Sequence, residues 1–161
     1  MDSKKLEALR EAIPCKWKPQ VVNDKKATFV AYLDARQVQN HLDKCLGPEN
    51  WQNAYTSIDG RLFCGIAVKI GEEWVWKFDT GIESNMEKEK GEVSDSFKRA
   101  AVNWGVGRFL YDLGVVVTNT MTNNKGKNVP CYNENGEDKI LWPNHYTRFC
   151  ESKLRGKNGN N

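Results

Sequence analysis

Two adjacent cations, Lys98 and Arg99, lie in a segment whose hydropathy pattern predicts a helix from Gly91 to Trp104. At about 100° per residue, Phe97 and Trp104 fall on one apolar stripe, and the two cations project from its outer side. If the stripe docks on a sheet, the cations would line a groove that neutralises phosphates, as nonspecific single-strand binding requires. Spacing alone leaves open, and slightly favours, an ordinary solvated helix face.

A second group of cations flanks a tryptophan in the run Lys16-Trp17-Lys18. An exposed linker with one buried tryptophan explains this run equally well. Further cations on predicted strands are Arg61, Lys69 and Lys77. Because lysines commonly protect strand edges, each of these alone is better explained as a solubilising residue than as a binding residue.

None of the common catalytic motifs occurs in the sequence. It has no G-x-x-x-x-G-K-[ST] phosphate loop, no nucleophile elbow and no H-E-x-x-H pair. A metal-dependent nuclease using Asp79, Glu83 and Asp95 is the remaining enzymatic alternative. These carboxylates lack a convincing shared face, and helix-start and loop positions explain them better. We therefore expect a protein that is not an enzyme.

The five cysteines and two histidines give no metal-site pattern. The cysteine count is odd, no pair has C-x-x-C spacing, and His41 and His145 lie far apart in sequence. We expect reduced thiols packed as small apolar groups, and no metal or other cofactor.

The order of predicted elements indicates an α+β fold. Helices are predicted over Ser3–Ile13, Ala35–Leu46, Gly91–Trp104 and Pro143–Lys153, and strands over Phe29–Leu33, Trp51–Ile58, Arg61–Ile70, Glu73–Asp79 and Val115–Val117. The turns Asp59-Gly60 and Gly71-Glu72 join the middle three strands into an antiparallel meander. Segments 129–132 and 139–142 could pair as a hairpin, and residues 118–127 are expected to be mobile.

Length and composition are consistent with one domain. A chain of 161 residues that is 39% hydrophobic can bury a core, and its net charge of +3 permits a nucleic-acid partner without arguing for one. No apolar run approaches the roughly 18 residues of a membrane span, and no secretory signal begins the sequence. We expect a cytoplasmic protein with one DNA-binding and oligomerisation domain over residues 1–155 and a disordered tail over 156–161.

The segment from Lys90 to Gly105, KGEVSDSFKRAAVNWG, carries a resemblance to a known family. Together with VGRFLYDL after it, and with Trp17-Lys18-Pro19, Tyr32 to Arg36 and Gly47 to Trp51 before it, it resembles the single-strand annealing family named after the eukaryotic recombination mediator Rad-fifty-two. It looks most like the short bacterial and phage members of the DdrA type. The resemblance covers residues 16–113.

The resemblance implies a fold, an assembly and a ligand. Its members have a β-β-β-α core, a three-stranded meander packed by the following helix, and associate side by side into rings or arcs. Single-stranded DNA lies in a basic groove of the ring, and no nucleotide is hydrolysed. The expected partners are therefore single-stranded DNA, other copies of the chain, and recombination or single-strand-binding proteins of a bacterial or phage-infected cell.

The resemblance also implies which residues contact DNA. Lys98 and Arg99 match the phosphate ligands of the inner groove, and either Lys16 or Lys18 approaches from the preceding segment. Arg61 and Lys90 match positions of further DNA contacts. Where eukaryotic members carry another arginine one turn after the Lys-Arg pair, this chain has Val102, so that contact is missing.

Three hypotheses follow. The first is ATP-independent binding and annealing of single-stranded DNA in homologous recombination and repair. The second is protection of DNA ends by the same fold with little annealing. The third is the metal-dependent nuclease.

Overall fold

The computed structural model describes the backbone of residues 3–81 and 88–158, and the side chains of 3–81 and 91–156. The fold is α+β, as predicted. Its helices are α1 Ser3–Ala8, α2 Ala35–Leu46, α3 Lys88–Trp104 and α4 Tyr146–Asn158, with 3-10 turns at Pro48–Asn50, Arg108–Tyr111 and Pro143–His145. Its strands are β1 Lys16–Val22, β2 Ala27–Tyr32, β3 Trp51–Ile58, β4 Arg61–Ile70, β5 Glu73–Thr80, β6 Val115–Thr118, β7 Thr120–Thr122, β8 Asn128–Glu134 and β9 Glu137–Ile140. No helix in the described part of the chain is long and apolar enough to cross a membrane.

The chain forms two compact units that alternate along the sequence. The first contains residues 1–13 and 33–109, and the second contains residues 14–32 and 110–161. A single domain over 1–155 stays a prediction.

The first unit is built on the predicted meander, in the order β3-β4-β5. Asp59 and Gly60 both have positive φ, 51° and 76°, as the tight turn between β3 and β4 requires. Register then fixes two faces, because alternate residues of a strand point to opposite sides. We call the face with even-numbered residues of β3 and β5 and odd-numbered residues of β4 the open face, and the opposite one the helix face.

Two helices of the first unit lie on the helix face. Asp34 caps α2 with a reciprocal pair of hydrogen bonds: its carboxylate accepts from the Gln37 N–H, and the Gln37 side chain accepts from the Asp34 N–H. The predicted start and end of α2 are confirmed. The Trp51 indole at the start of β3 donates to Asp43 Oδ1 of α2 at 2.7 Å.

The second unit combines pairs of neighbouring strands with one distant pair, β2 and β6. Its first sheet has the order β1-β2-β6, and its second the order β7-β8-β9. Its core contains Trp17, Ala27, Phe29, Val116, Leu141 and Cys150. The Thr147 hydroxyl of α4 accepts a hydrogen bond from the Trp17 backbone N–H at 3.2 Å, which fixes α4 against β1.

Several predicted elements differ from those in the structure. The first helix ends at Ala8 rather than Ile13, because Arg10 and Glu11 donate to carbonyls only three residues back. The Lys16-Trp17-Lys18 run is a strand and not a linker. Within residues 118–127, expected to be mobile, Thr120–Thr122 pairs with β8. The α4 helix continues to Asn158, three residues into the predicted tail.

Candidate nucleic-acid interface

The α3 helix is held on the meander by its apolar stripe. Phe97, Ala101 and Trp104 are buried, and the Trp104 indole donates to the Ile66 carbonyl of β4 at 2.9 Å. The Phe97 ring lies 6.3 Å from the Trp51 ring, between centroids. The predicted docking stripe is therefore confirmed for these residues. Val93, one turn before Phe97, is 40% exposed.

The anchored helix fixes where Lys98 and Arg99 lie. Lys98 is half-buried and Arg99 is exposed, on consecutive residues beside the buried stripe. Because Trp104 and Phe97 anchor α3 on either side of them, both cations sit on a rigid element and not on a loop. Cations on a rigid helix can bind a charged backbone at a low entropic cost, because little of the protein chain must become ordered on binding.

Arg99 has an acidic partner that the sequence did not reveal. Its Nε lies 3.4 Å from Oδ1 of Asp79 in β5. The same carboxylate oxygen accepts the backbone N–H of Thr80 at 2.8 Å. Asp79 had been considered only as a nuclease carboxylate. In the structure it orients the Arg99 guanidinium and offsets part of its charge.

Two cations cap the C-terminal end of α3. The Arg108 guanidinium donates to the carbonyls of Val102 and Asn103, at 2.9 and 3.2 Å. Lys77 donates to the Asn103 carbonyl at 3.0 Å, and its ammonium lies 4.2 Å from the centre of the Trp104 ring. Helix C-termini favour cations, since the last carbonyls have no partners within the helix. Arg108 therefore has a structural role at the turn after α3, through these two carbonyls.

Of the remaining first-unit candidates, Arg61 does not join Lys98 and Arg99. Arg61 is exposed at the start of β4, in an open-face position, whereas α3 covers the helix face. Lys90 belongs to α3, but its side chain lies outside the described residues.

The second-unit candidates share one side of β1. Lys16 and Lys18 are exposed, while Trp17 between them is buried on the other side. The Lys18 ammonium lies 5.1 Å from the centre of the Tyr32 ring on the neighbouring strand. A tryptophan that alternates with lysines is typical of an edge strand with one core face, and this alternation could have identified the strand in the sequence.

The helix face also holds a buried cysteine, Cys64, whose pKa is raised. Burial raises the pKa of Cys64 to about 11, and burial together with the nearby thiol raises the pKa of Tyr55 to about 12. A raised pKa leaves the thiol protonated at neutral pH, which makes Cys64 a poor nucleophile.

No set of three metal-binding side chains is found within the described residues. Of the nuclease carboxylates, Asp79 is paired with Arg99, and Glu83 lies outside the described residues.

Comparison with known proteins gives two curated relatives, both described as single-stranded DNA-binding protein DdrA. The relative from Deinococcus radiodurans is 34% identical over 114 residues, which are 68% of this chain and 54% of the relative. The relative from Deinococcus deserti is 33% identical over 114 residues, 68% of this chain and 56% of the relative. The chain thus spans about half the length of the curated relatives it matches.

A family profile matches a larger part of the chain. The profile described as Rad52/22 family double-strand break repair protein covers residues 2–129, which include β1, the meander and the whole of α3. This match agrees with the resemblance drawn from the Lys90–Gly105 segment. The chain belongs to the Rad52/22 family of double-strand break repair proteins.

Proposed function

We propose that this chain binds single-stranded DNA and anneals complementary strands in recombination and repair, without a nucleotide cofactor. The observation that carries the proposal is the Lys98–Arg99 pair, held on the outer side of a helix whose inner side is locked to the meander. Two curated relatives named as single-stranded DNA-binding proteins support the choice of ligand.

Annealing needs neutralised phosphates and accessible bases, and it needs no catalytic group. A net charge of +3 gives each chain only a small excess of positive charge. We propose that copies associate side by side into a ring or arc, so that one strand contacts several protomers and weak contacts add up through avidity. Arg61, Lys90 and either Lys16 or Lys18 supply further phosphate contacts in this proposal.

The binding test compares two variants that each lose two positive charges. Lys98→Ala/Arg99→Ala should weaken binding to a fluorescent oligothymidine at least about tenfold. The slope of log affinity against log salt should fall by about 1.4, since each contact with a single strand contributes about 0.7. Lys125→Ala/Lys127→Ala, in the exposed turn before β8, is the control and should leave both values unchanged. Equal effects of the two variants would contradict the assignment of the site.

The annealing test mixes complementary oligonucleotides without ATP. We expect faster duplex formation with the protein than without it. Slower nuclease digestion of 3′ ends without faster pairing would instead support end protection, which is our second candidate function. Cleavage of single strands that requires Mg²⁺ would support the nuclease.

A further inference from the structure

The open face of the meander carries three exposed aromatic side chains in a row. Trp74, Trp76 and Phe78 alternate along β5 and are 38%, 37% and 49% exposed. The elements of the first unit that pack on the meander lie on the helix face, through Trp104, Phe97 and Trp51. A row of exposed aromatics on the sheet face opposite the packed helices indicates a surface for a ligand or a partner.

The shape of this row is set by small residues on the neighbouring strand. Gly65 pairs with Phe78, and a Cβ atom built on Gly65 would lie 2.4 Å from Phe78 Cε1. The Phe78 ring therefore rests over the β4 backbone, in space that only glycine leaves. The Trp76 ring stacks with Phe78 at 5.7 Å between centroids, with 21° between planes. The Trp76 and Phe78 rings therefore pack on each other and on the β4 backbone.

The charges on the open face are all positive. Arg61 and Lys69 both occupy open-face positions of β4, and Lys69 pairs with Trp74. No open-face position of β3, β4 or β5, all within the described residues, holds a carboxylate. The acidic residues of this segment lie elsewhere: Glu73 and Asp79 are on the helix face, and Asp59 and Glu72 are in the turns.

We propose that the open face binds single-stranded nucleic acid by stacking bases on Trp74, Trp76 and Phe78, while Arg61 and Lys69 neutralise the adjoining phosphates. This inference rests on the proposed function and adds to it a second contact surface, of different chemistry from the phosphate contacts at Lys98 and Arg99. Aromatic rings combined with cations and without acidic groups are what sequence-tolerant single-strand binding uses.

The spacing of the rings explains what such a surface does to a strand. The centroids of the Trp76 and Phe78 rings lie 5.7 Å apart. That is more than the 3.4 Å rise per nucleotide of a strand in B-DNA. Successive bases can rest on successive rings only if the strand is stretched, and neighbouring bases are then no longer stacked on one another. The open face would thus hold bases separated and ready to pair.

The experiment separates base contacts from phosphate contacts. Affinity is measured for an oligothymidine and for a strand of the same length and charge that has abasic sites in place of all bases. Wild-type protein should bind the oligothymidine at least about tenfold more tightly. In Trp74→Leu/Trp76→Leu this preference should fall severalfold, because leucine keeps apolar cover over β4 but cannot stack with bases. Tyr111→Leu/Trp142→Leu removes two exposed aromatics of the second unit and should keep the preference.

Each outcome decides between the inference and the proposed function. If wild-type protein binds both strands equally well, the open face does not bind bases, and this inference alone is wrong. A smaller assembly in sedimentation for Trp74→Leu/Trp76→Leu, with the base preference retained, would assign the open face to contact between copies and overturn the inference. No binding of either strand would overturn the proposed function as well. Lys98→Ala/Arg99→Ala should bind both strands more weakly than wild type. The ratio of its affinities for the two strands should be the same as in wild type.

Discussion

Arg99 Nε and Asp79 Oδ1 lie 3.4 Å apart, so the guanidinium assigned to a DNA phosphate already has an anionic partner. The arginine side chain is 43% exposed and the aspartate 26%. An ion pair this open to solvent is screened and contributes little stability. In the proposed function the pair matters for binding, because an arriving phosphate would compete with a carboxylate for the same donors.

Asp79→Asn should tighten binding of oligothymidine severalfold at low salt. The substitution removes one negative charge beside Arg99 but keeps a side-chain oxygen that can accept the Thr80 N–H. The measurement is fluorescence anisotropy over a range of salt concentrations, and the gain should shrink as salt screens the charges. Glu11→Gln, an exposed carboxylate of the same unit, is the control and should change affinity little. Weaker binding by Asp79→Asn would mean that Asp79 serves mainly to position Arg99.

Arg108→Ala should lower the free energy of unfolding by about 1 kcal/mol, because the last carbonyls of α3 lose their charged donor. Denaturant unfolding followed by circular dichroism measures the loss. Arg148→Ala, an exposed arginine of α4, should cost much less. The salt dependence of DNA binding should be the same in Arg108→Ala as in wild type. A smaller salt slope would show that Arg108 contacts phosphate instead.

Stability should fall at alkaline pH because of two buried thiols. Burial raises the pKa of Cys64 to about 11 and that of Cys150 to about 12, from an ordinary value of 9.0. The folded state holds these protons more tightly than the unfolded chain, so their contribution is complete below about pH 9 and is lost as pH rises toward 11 to 12. We expect a loss of about 1 kcal/mol per thiol by pH 10.

Denaturant unfolding at pH 8 and pH 10 tests this, with Cys64→Ala/Cys150→Ala as the comparison. The variant should lose less stability than wild type between the two values. Iodoacetamide at pH 8 should label Cys15 and Cys45 before the buried Cys64, Cys131 and Cys150. Equal pH dependence of wild type and variant would contradict the effect.

The local elements were predictable because several independent signals agreed in each. Helix α2 has a capping aspartate, a following Gln37, an apolar stripe and a terminal Gly47-Pro48, and its predicted start and end are those observed. The meander combines period-two alternation with an Asp-Gly turn, and the predicted bounds of β3 and β4 hold. In the candidate site, the stripe of Phe97 and Trp104 followed from helical periodicity alone.

Contacts between segments that are distant in sequence could not be predicted from local sequence patterns. The Arg99–Asp79 pair depends on how α3 crosses β5, which no local pattern specifies. The aromatics of β5 suggest a core face by hydropathy. The strand register instead puts these aromatics on the open face. Val75 and Lys77 pair with Val68 and Ile66 of β4, which are helix-face residues, so the residues between them point the other way. Strand β1 was not predicted because Pro19 interrupts it, although Lys16, Trp17 and Lys18 do alternate.

The alternation of the two units along the chain sets the order in which they can fold. The meander joins neighbouring strands through tight turns, so its contacts are local and quick to form. Strand β2 cannot complete its pairing until β6 has been synthesised. Val30 pairs with Val115, and the whole of α3 lies between these two residues in the sequence. During synthesis on the ribosome, the β1–β2 hairpin and the meander are complete before β6 emerges, and one edge of β2 stays unpaired until then. A nascent chain stalled before β6 therefore exposes an apolar strand edge, and the second unit is where premature termination leads to aggregation.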